Sequence, residues 1–108
     1  MTTQDFRTLA LGFAGAVESE HMLHPDFRHR GKVFATLGYP SEGWGMVKLK
    51  PAQQRVYLRQ APGVFRAASG AWGKSGSTIV YLESAKKALV KAALAVAIGN
   101  LSNPKEAT

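Results

Sequence analysis

With 108 residues, an ordinary apolar content of 45% and no cysteine, the chain can build one hydrophobic core and has neither disulfides nor thiolate chemistry. A charged fraction of 19% with a balance of +7 excludes a disordered composition and points to anionic partners. No apolar run approaches the roughly 18 residues of a membrane span, and MTTQDFRT lacks the basic flank and apolar run of a signal peptide; a cytoplasmic protein with no membrane partner is expected. One domain is expected to span 1–108, with an ordered core from about 3 to 101 and a frayed NPKEAT tail.

The excess charge is not spread evenly. Residues 1–27 carry one base and four acids, whereas residues 28–74 carry nine bases and a single acid, Glu42. A positive field concentrated in the middle of a chain favours nucleic acid among anionic partners.

In chain order, Thr2 or Thr3 can cap a first helix with Asp5 in its first turn. Phe6, Leu9, Ala10, Phe13 and Val17 recur at the spacing of one buried face, and the helix is expected to end near Gly15. Residues 18–23 show no period and read as a connection with at most a short extended piece. His24-Pro25-Asp26-Phe27 reads as a turn, with proline preset for its second position. Residues 27–30 and 32–37 read as two strands joined at Arg30-Gly31, where glycine supplies the positive φ of a tight hairpin. That turn sets His29 opposite Lys32 and Phe27 opposite Phe34. Residues 38–43 form a loop, and 45–50 a third strand. Pro51 opens a helix at the position where its missing N–H costs nothing, and Pro62-Gly63 closes it. A short strand follows at 64–68, then the glycine- and serine-rich loop 69–77, a strand at 78–82, and a last helix capped by Ser84. Leu89, Ala92, Ala93, Val96 and Ala97 mark the inner face of that helix, which Gly99-Asn100 can end.

The order α, β, β, β, α, β, β, α predicts an α+β fold, a two-layer sandwich of helices on a largely antiparallel sheet. Strand alternation divides the sheet residues into two sets. Val33, Ala35, Leu37, Val47, Leu49, Val80 and Leu82 are assigned to the helix-covered core. Phe27, Lys32, Phe34, Trp44, Met46, Lys48, Lys50, Ile79 and Tyr81 are assigned to an open face. A slip of one residue in register exchanges the sets.

His24-Pro25-Asp26-Phe27, Gly31-Lys32-Val33-Phe34-Ala35, the Trp44-Gly45 step before Val47-Lys48-Leu49, and Ala71-Trp72-Gly73 ahead of the last strand occur in an order and spacing that resembles the MmcQ/YjbR family of small bacterial proteins. The likeness runs from Phe6 to about Leu101. It implies a compact α/β fold of the secretion-chaperone-like kind and a double-wing, DNA-binding protein. One branch of that family has a histidine shortly before its tryptophan. Here Ser69-Gly70-Ala71 precede Trp72, so that histidine's role does not carry over.

The candidate chemistry is a basic-aromatic face. Lys32, Lys48 and Lys50 are placed to meet phosphates, and Phe34, Trp44 and Tyr81 to stack on unpaired bases, with Trp72 in the neighbouring glycine loop. Arg28 and Arg30 at the hairpin and Lys74 in that loop are the wing-tip candidates for backbone contacts. The same face also suits a solvated surface whose lysine stems cover apolar area, or a homodimer that buries the aromatics. Arg55 and Arg59 share one side of a helix and, with Arg66, read more simply as solvated surface. His21, His24 and His29 lie near Glu18, Glu20 and Asp26, but Pro25 breaks a shared helical face and no HExxH-type spacing exists, so no metal is expected. Gly70, Gly73 and Gly76 match no dinucleotide or P-loop pattern, and the serines of that loop have no partner base. Paired carboxylates are missing from the basic stretch. A non-enzymatic binding module without cofactor, contacting DNA or another nucleic acid, is the expectation, with a protein-interaction or oligomerisation module as the alternative.

Overall fold

The computed structural model describes residues 1–102. The expected tail lies outside them. Helix α1 (Thr3–Leu11) starts at Thr2, whose hydroxyl accepts the Asp5 N–H at 3.0 Å while the Asp5 carboxylate accepts the Thr2 N–H at 2.9 Å. It buries Phe6 and Ala10 and stops at Leu11, short of Gly15.

The next segment corrects the sequence reading. Residues taken as a connection form strand β1 (Ala16–His21), and the proposed HPDF turn belongs to strand β2 (His24–His29). The turn is instead Met22-Leu23, both with positive φ, a conformation costly for such side chains and therefore not readable from residue type. Val17, assigned to the α1 face, is exposed on β1. Pro25 stands opposite Glu20 of β1, before pairing with the third strand begins at Asp26, so its missing N–H interrupts only the end of the ladder.

Strand β3 (Lys32–Leu37) follows the expected Arg30-Gly31 turn, where both residues have positive φ, and His29 does face Lys32. Phe27 faces Ala35 and not Phe34. The register jumps between Phe27 and Arg28, because Val33 pairs with Arg28 while Ala35 pairs with Phe27. Phe34 is the extra residue of a β-bulge. Strand β4 (Trp44–Lys48) comes after a loop with a cis Tyr39-Pro40 bond, and helix α2 (Pro51–Gln60) starts at Pro51 as expected. Strand β5 (Phe65–Ala67) is short. The glycine-serine segment contains helix α3 (Gly70–Lys74), which sequence reasoning read as a loop. Strand β6 (Ser77–Tyr81) leads into a 3-10 turn (Leu82–Ser84) and helix α4 (Lys87–Ser102). Ser84 does not cap α4; its hydroxyl donates to the Gly63 carbonyl at 3.2 Å. Gly99 and Asn100 lie inside α4, and Asn100 exchanges amide hydrogen bonds with Gln53 of α2 at 2.9 and 3.1 Å.

The six strands form one antiparallel sheet in the order β1-β2-β3-β4-β6-β5. Helices α1, α2 and α4 cover one face. Phe6, Phe27, Phe34, Phe65, Val47, Val80 and Leu82 are buried there with Val90, Ala93, Leu94 and Ala97 of α4. The buried stripe of α4 is therefore rotated from the expected one, with Ala92 exposed and Leu89 and Val96 at its margin. Each buried phenylalanine contributes roughly 1.5–3 kcal/mol by leaving water. Ala35, Leu37, Val47, Leu49, Val80 and Leu82 take the core positions expected of them. Val33 does not: it lines a cleft on the other face. Phe27 and Phe34, expected on the open face, are wholly buried in the core. The bulge explains all of this, since it sends Phe34 and Ala35 consecutively to the helix side and returns Val33 to the open side.

Candidate functional site

The uncovered face of the sheet is built by register. Arg28 pairs with Val33, Asp26 with Thr36, Thr36 with Met46, Met46 with Ile79, Ile79 with Arg66, Trp44 with Tyr81, and Lys48 with Ser77. Opposed residues share a face, so these side chains stand together. Met46 and Ile79 pack with Ala68, Tyr39 and Trp44 into a second, smaller apolar cluster. Trp44 lies with its ring centroid 4.6 Å from that of Tyr81, and the Arg66 guanidinium carbon sits 5.0 Å from the Trp44 ring, a cation–π contact.

Beside this cluster lies a cleft of about 400 Å³, lined among others by His21, Arg28, Thr36, Lys48, Trp72 and Ser77. One wall is an ion cluster. The Asp26 carboxylate is buried, accepts from Arg28 Nε at 2.9 Å and Nη2 at 3.0 Å, and lies 2.6 Å from His21 Nδ1. The Arg28 hydrogen bonds hold the Asp26 carboxyl below its ordinary range against the opposing effect of burial, with His21 acting in the same direction as Arg28. The same bonds raise Arg28, which remains a cation at any working pH. Arg28 is thus fixed in position, with Nη1 outside the pairing with Asp26.

The opposite wall is α3. Its Trp72 is 59% exposed and meets Tyr39 edge-on at 6.2 Å. Two features press α3 against the sheet. The buried Gln54 amide donates to the carbonyls of Gly73 and Ser77 at 3.1 and 3.0 Å. At Gly73 a Cβ would lie 1.7 Å from the Ala68 carbonyl oxygen, and at Gly76, with φ +110°, 1.9 Å from that of Leu49. These glycines allow close backbone approach, which is why the segment is glycine-rich without being a phosphate loop.

Of the ten residues singled out by sequence, the face brings together Arg28, Trp44, Lys48, Trp72 and Tyr81. Lys74 ends α3 and is exposed near them. Tyr81 is committed to Glu83, which accepts its hydroxyl and raises its pKa. Arg30 projects from the β2–β3 turn. Lys32 pairs with His29 on the helix-side parity and so leaves the group. Lys50 lies past the end of β4 as the cap residue of α2, its N–H donating to Gln53 Oε1 at 2.8 Å. Phe34 is a core residue and cannot stack on anything outside. Sequence reasoning missed Asp26 and His21 as the anchors of Arg28, and Thr36 and Ser77 as the cleft floor. The strand alternation of β4 and β6, carried across to β3, was the signal for the floor. Among the described residues no three His, Asp or Glu side chains group as metal ligands, and no helix is long and apolar enough to cross a membrane.

A second cavity of about 400 Å³ lies at the N-terminus, lined by Met1, Trp44, Tyr81 and the acids Glu42 and Glu83. Its negative groups make it the wrong place for phosphate.

No curated protein matches the chain in sequence. Among solved structures, the crystal structure of Deinococcus radiodurans protein DR2400, described by the family-model domain DUF419, is similar with a TM-score of 0.76 over 95% of this chain and 80% of that one. At 12% identity this is a likeness of fold. The YjbR family model matches residues 11–97, from the end of α1 through most of α4, and the chain therefore belongs to the YjbR family.

Proposed function

We propose that the protein is a non-enzymatic nucleic-acid-binding module, with DNA the expected partner, that uses the open sheet face. The observation that carries this reading is the convergence of Arg28, Lys48 and the exposed Trp72 on one cleft. Cations supply phosphate contacts whose strength depends on salt but not on sequence, and an exposed indole supplies a sequence-tolerant stacking surface. Arg66 and Lys74 add charge beside the cleft, and Arg30 extends it at the hairpin tip. The buried acid behind its wall, Asp26, is paired with Arg28 and His21.

The test is a titration of a labelled oligonucleotide at increasing salt. Affinity falls steeply with salt, and Lys48→Glu weakens binding to every sequence alike and flattens the salt slope. Binding that is indifferent to both overturns the reading.

A second reading, a homo-oligomerisation or protein-interaction module on the same face, draws on the exposed apolar side chain of Trp72. Light scattering separates the two: a monomer at high concentration, with Trp72 quenchable from solvent, speaks against it.

A further inference from the structure

We propose that the open-face cleft receives one unpaired nucleotide of a single-stranded nucleic acid, an inference that rests on the nucleic-acid reading and goes beyond it by naming the form of the strand. The floor is the first argument. Thr36 and Ser77 are 3% and 8% exposed, their registers place both side chains on the open face, and both line the cleft. Neither hydroxyl forms a hydrogen bond within the described residues, and neither oxygen is sealed from solvent, so both face the cleft. A hydroxyl that opens into a cleft can donate to or accept from a guest. They stand on β3 and β6 with β4 between them, so each can meet a different part of one guest, a base edge or its sugar.

The walls are the second argument. Trp72 is exposed, yet held by the backbone contacts of α3 and by Tyr39, so it offers a pre-positioned planar surface. Opposite stand Arg28, fixed by Asp26, and Lys48, which forms no ion pair among the described residues. A base between indole and floor leaves its phosphate facing these cations.

Size and access are the third. A volume of about 400 Å³ falls at the lower end of the roughly 300–1,000 Å³ typical of small-ligand sites. It admits a base with its sugar but not the width of a double helix. Bases inside a duplex offer only their edges, so stacking on Trp72 requires an unpaired one.

The experiment compares a short labelled oligo-dT, the same strand annealed to oligo-dA, and free thymidine monophosphate, at low salt, on the full chain. The single strand is expected to bind at least roughly tenfold more tightly than either of the others and to quench tryptophan emission. Trp72→Ala lowers single-strand affinity roughly tenfold and leaves duplex affinity unchanged, while Trp72→Phe restores most of the loss. The isosteric Thr36→Val, checked for an unchanged melting temperature, lowers single-strand affinity several-fold. Should Thr36→Val fail to fold, Ser77→Ala reads the same floor. Equal or tighter duplex binding, or the mononucleotide binding as tightly as the strand, overturns the inference and leaves the nucleic-acid reading standing. So does loss of affinity for both strand forms alike in Trp72→Ala. Absence of binding to either form overturns both.

Discussion

The two faces of the sheet are made from the same strands and obey opposite rules. The helix-covered face is predominantly apolar, with four phenylalanines wholly buried among α4 residues chosen for size, two of them alanines. The open face has a small apolar patch of Met46, Ala68 and Ile79, and surrounds it with a buried carboxylate, three cations and unpartnered hydroxyls. Packing fixes the first face so tightly that the second need contribute little to folding, which leaves its positions open for binding chemistry.

That contrast predicts a graded set of effects. The largest belongs to Phe34→Ala, which opens a cavity in the covered core and is expected to cost about 3–5 kcal/mol in denaturant unfolding. A cost under about 1 kcal/mol, the scale of a surface site, means that Phe34 belongs to the open face after all. Next comes Gly73→Ala, whose added carbon collides with the Ala68 carbonyl and forces α3 off the sheet, at about 1–3 kcal/mol or more. Its sharper readout is tryptophan emission, since Trp72 moves with α3.

Asp26→Asn probes the boundary between the faces. The expected loss at neutral pH is about 1–2 kcal/mol, kept small because Arg28 is partly solvated. The sign with pH follows from the depressed carboxyl: its native pKa lies below the ordinary 3.8, so its contribution is complete above that value and disappears as pH falls through the native pKa. Wild type and variant therefore converge in stability in strong acid, and a gap that stays constant down to that range removes Asp26 as an ionised anchor. The smallest effect on stability is that of Lys48→Ala, within about 0.5 kcal/mol, although the same change weakens the proposed contact with phosphate. A large stability loss here erases the distinction between the faces.

What was legible in the sequence follows the same division. The β4 and β6 positions Val47, Val80, Met46, Ile79, Lys48 and Trp44 were placed on their correct faces, because two-residue alternation runs unbroken through both strands. The Arg30-Gly31 turn was readable from glycine. The β1 strand was not, since AVESEH at a sheet edge buries almost nothing and so carries no apolar pattern. Its turn uses Met22 and Leu23 in a backbone region such residues rarely occupy. Phe27 and Phe34 were misplaced because a bulge is a property of two strands meeting, which one strand's sequence does not announce. The Arg28 anchor was hidden for a related reason: Asp26 and His21 are brought together only by a strand pairing that was not foreseen.

The bulge at Phe34 has a consequence for how the length of this chain can vary. Arg28 with Val33 and Phe27 with Ala35 are correct pairs on either side of it. Removing the single residue between them closes the ladder without disturbing the turn at Arg30-Gly31, the pairing of β3 with β4, or the placement of Thr36 in the cleft. A relative one residue shorter here keeps the whole open face and gives up one core aromatic. Everywhere else in β2, β3 and β4, a one-residue deletion turns the strand over. Position 34 is thus a place in the sheet where a one-residue deletion keeps the register of the open face, at the expense of a buried core aromatic.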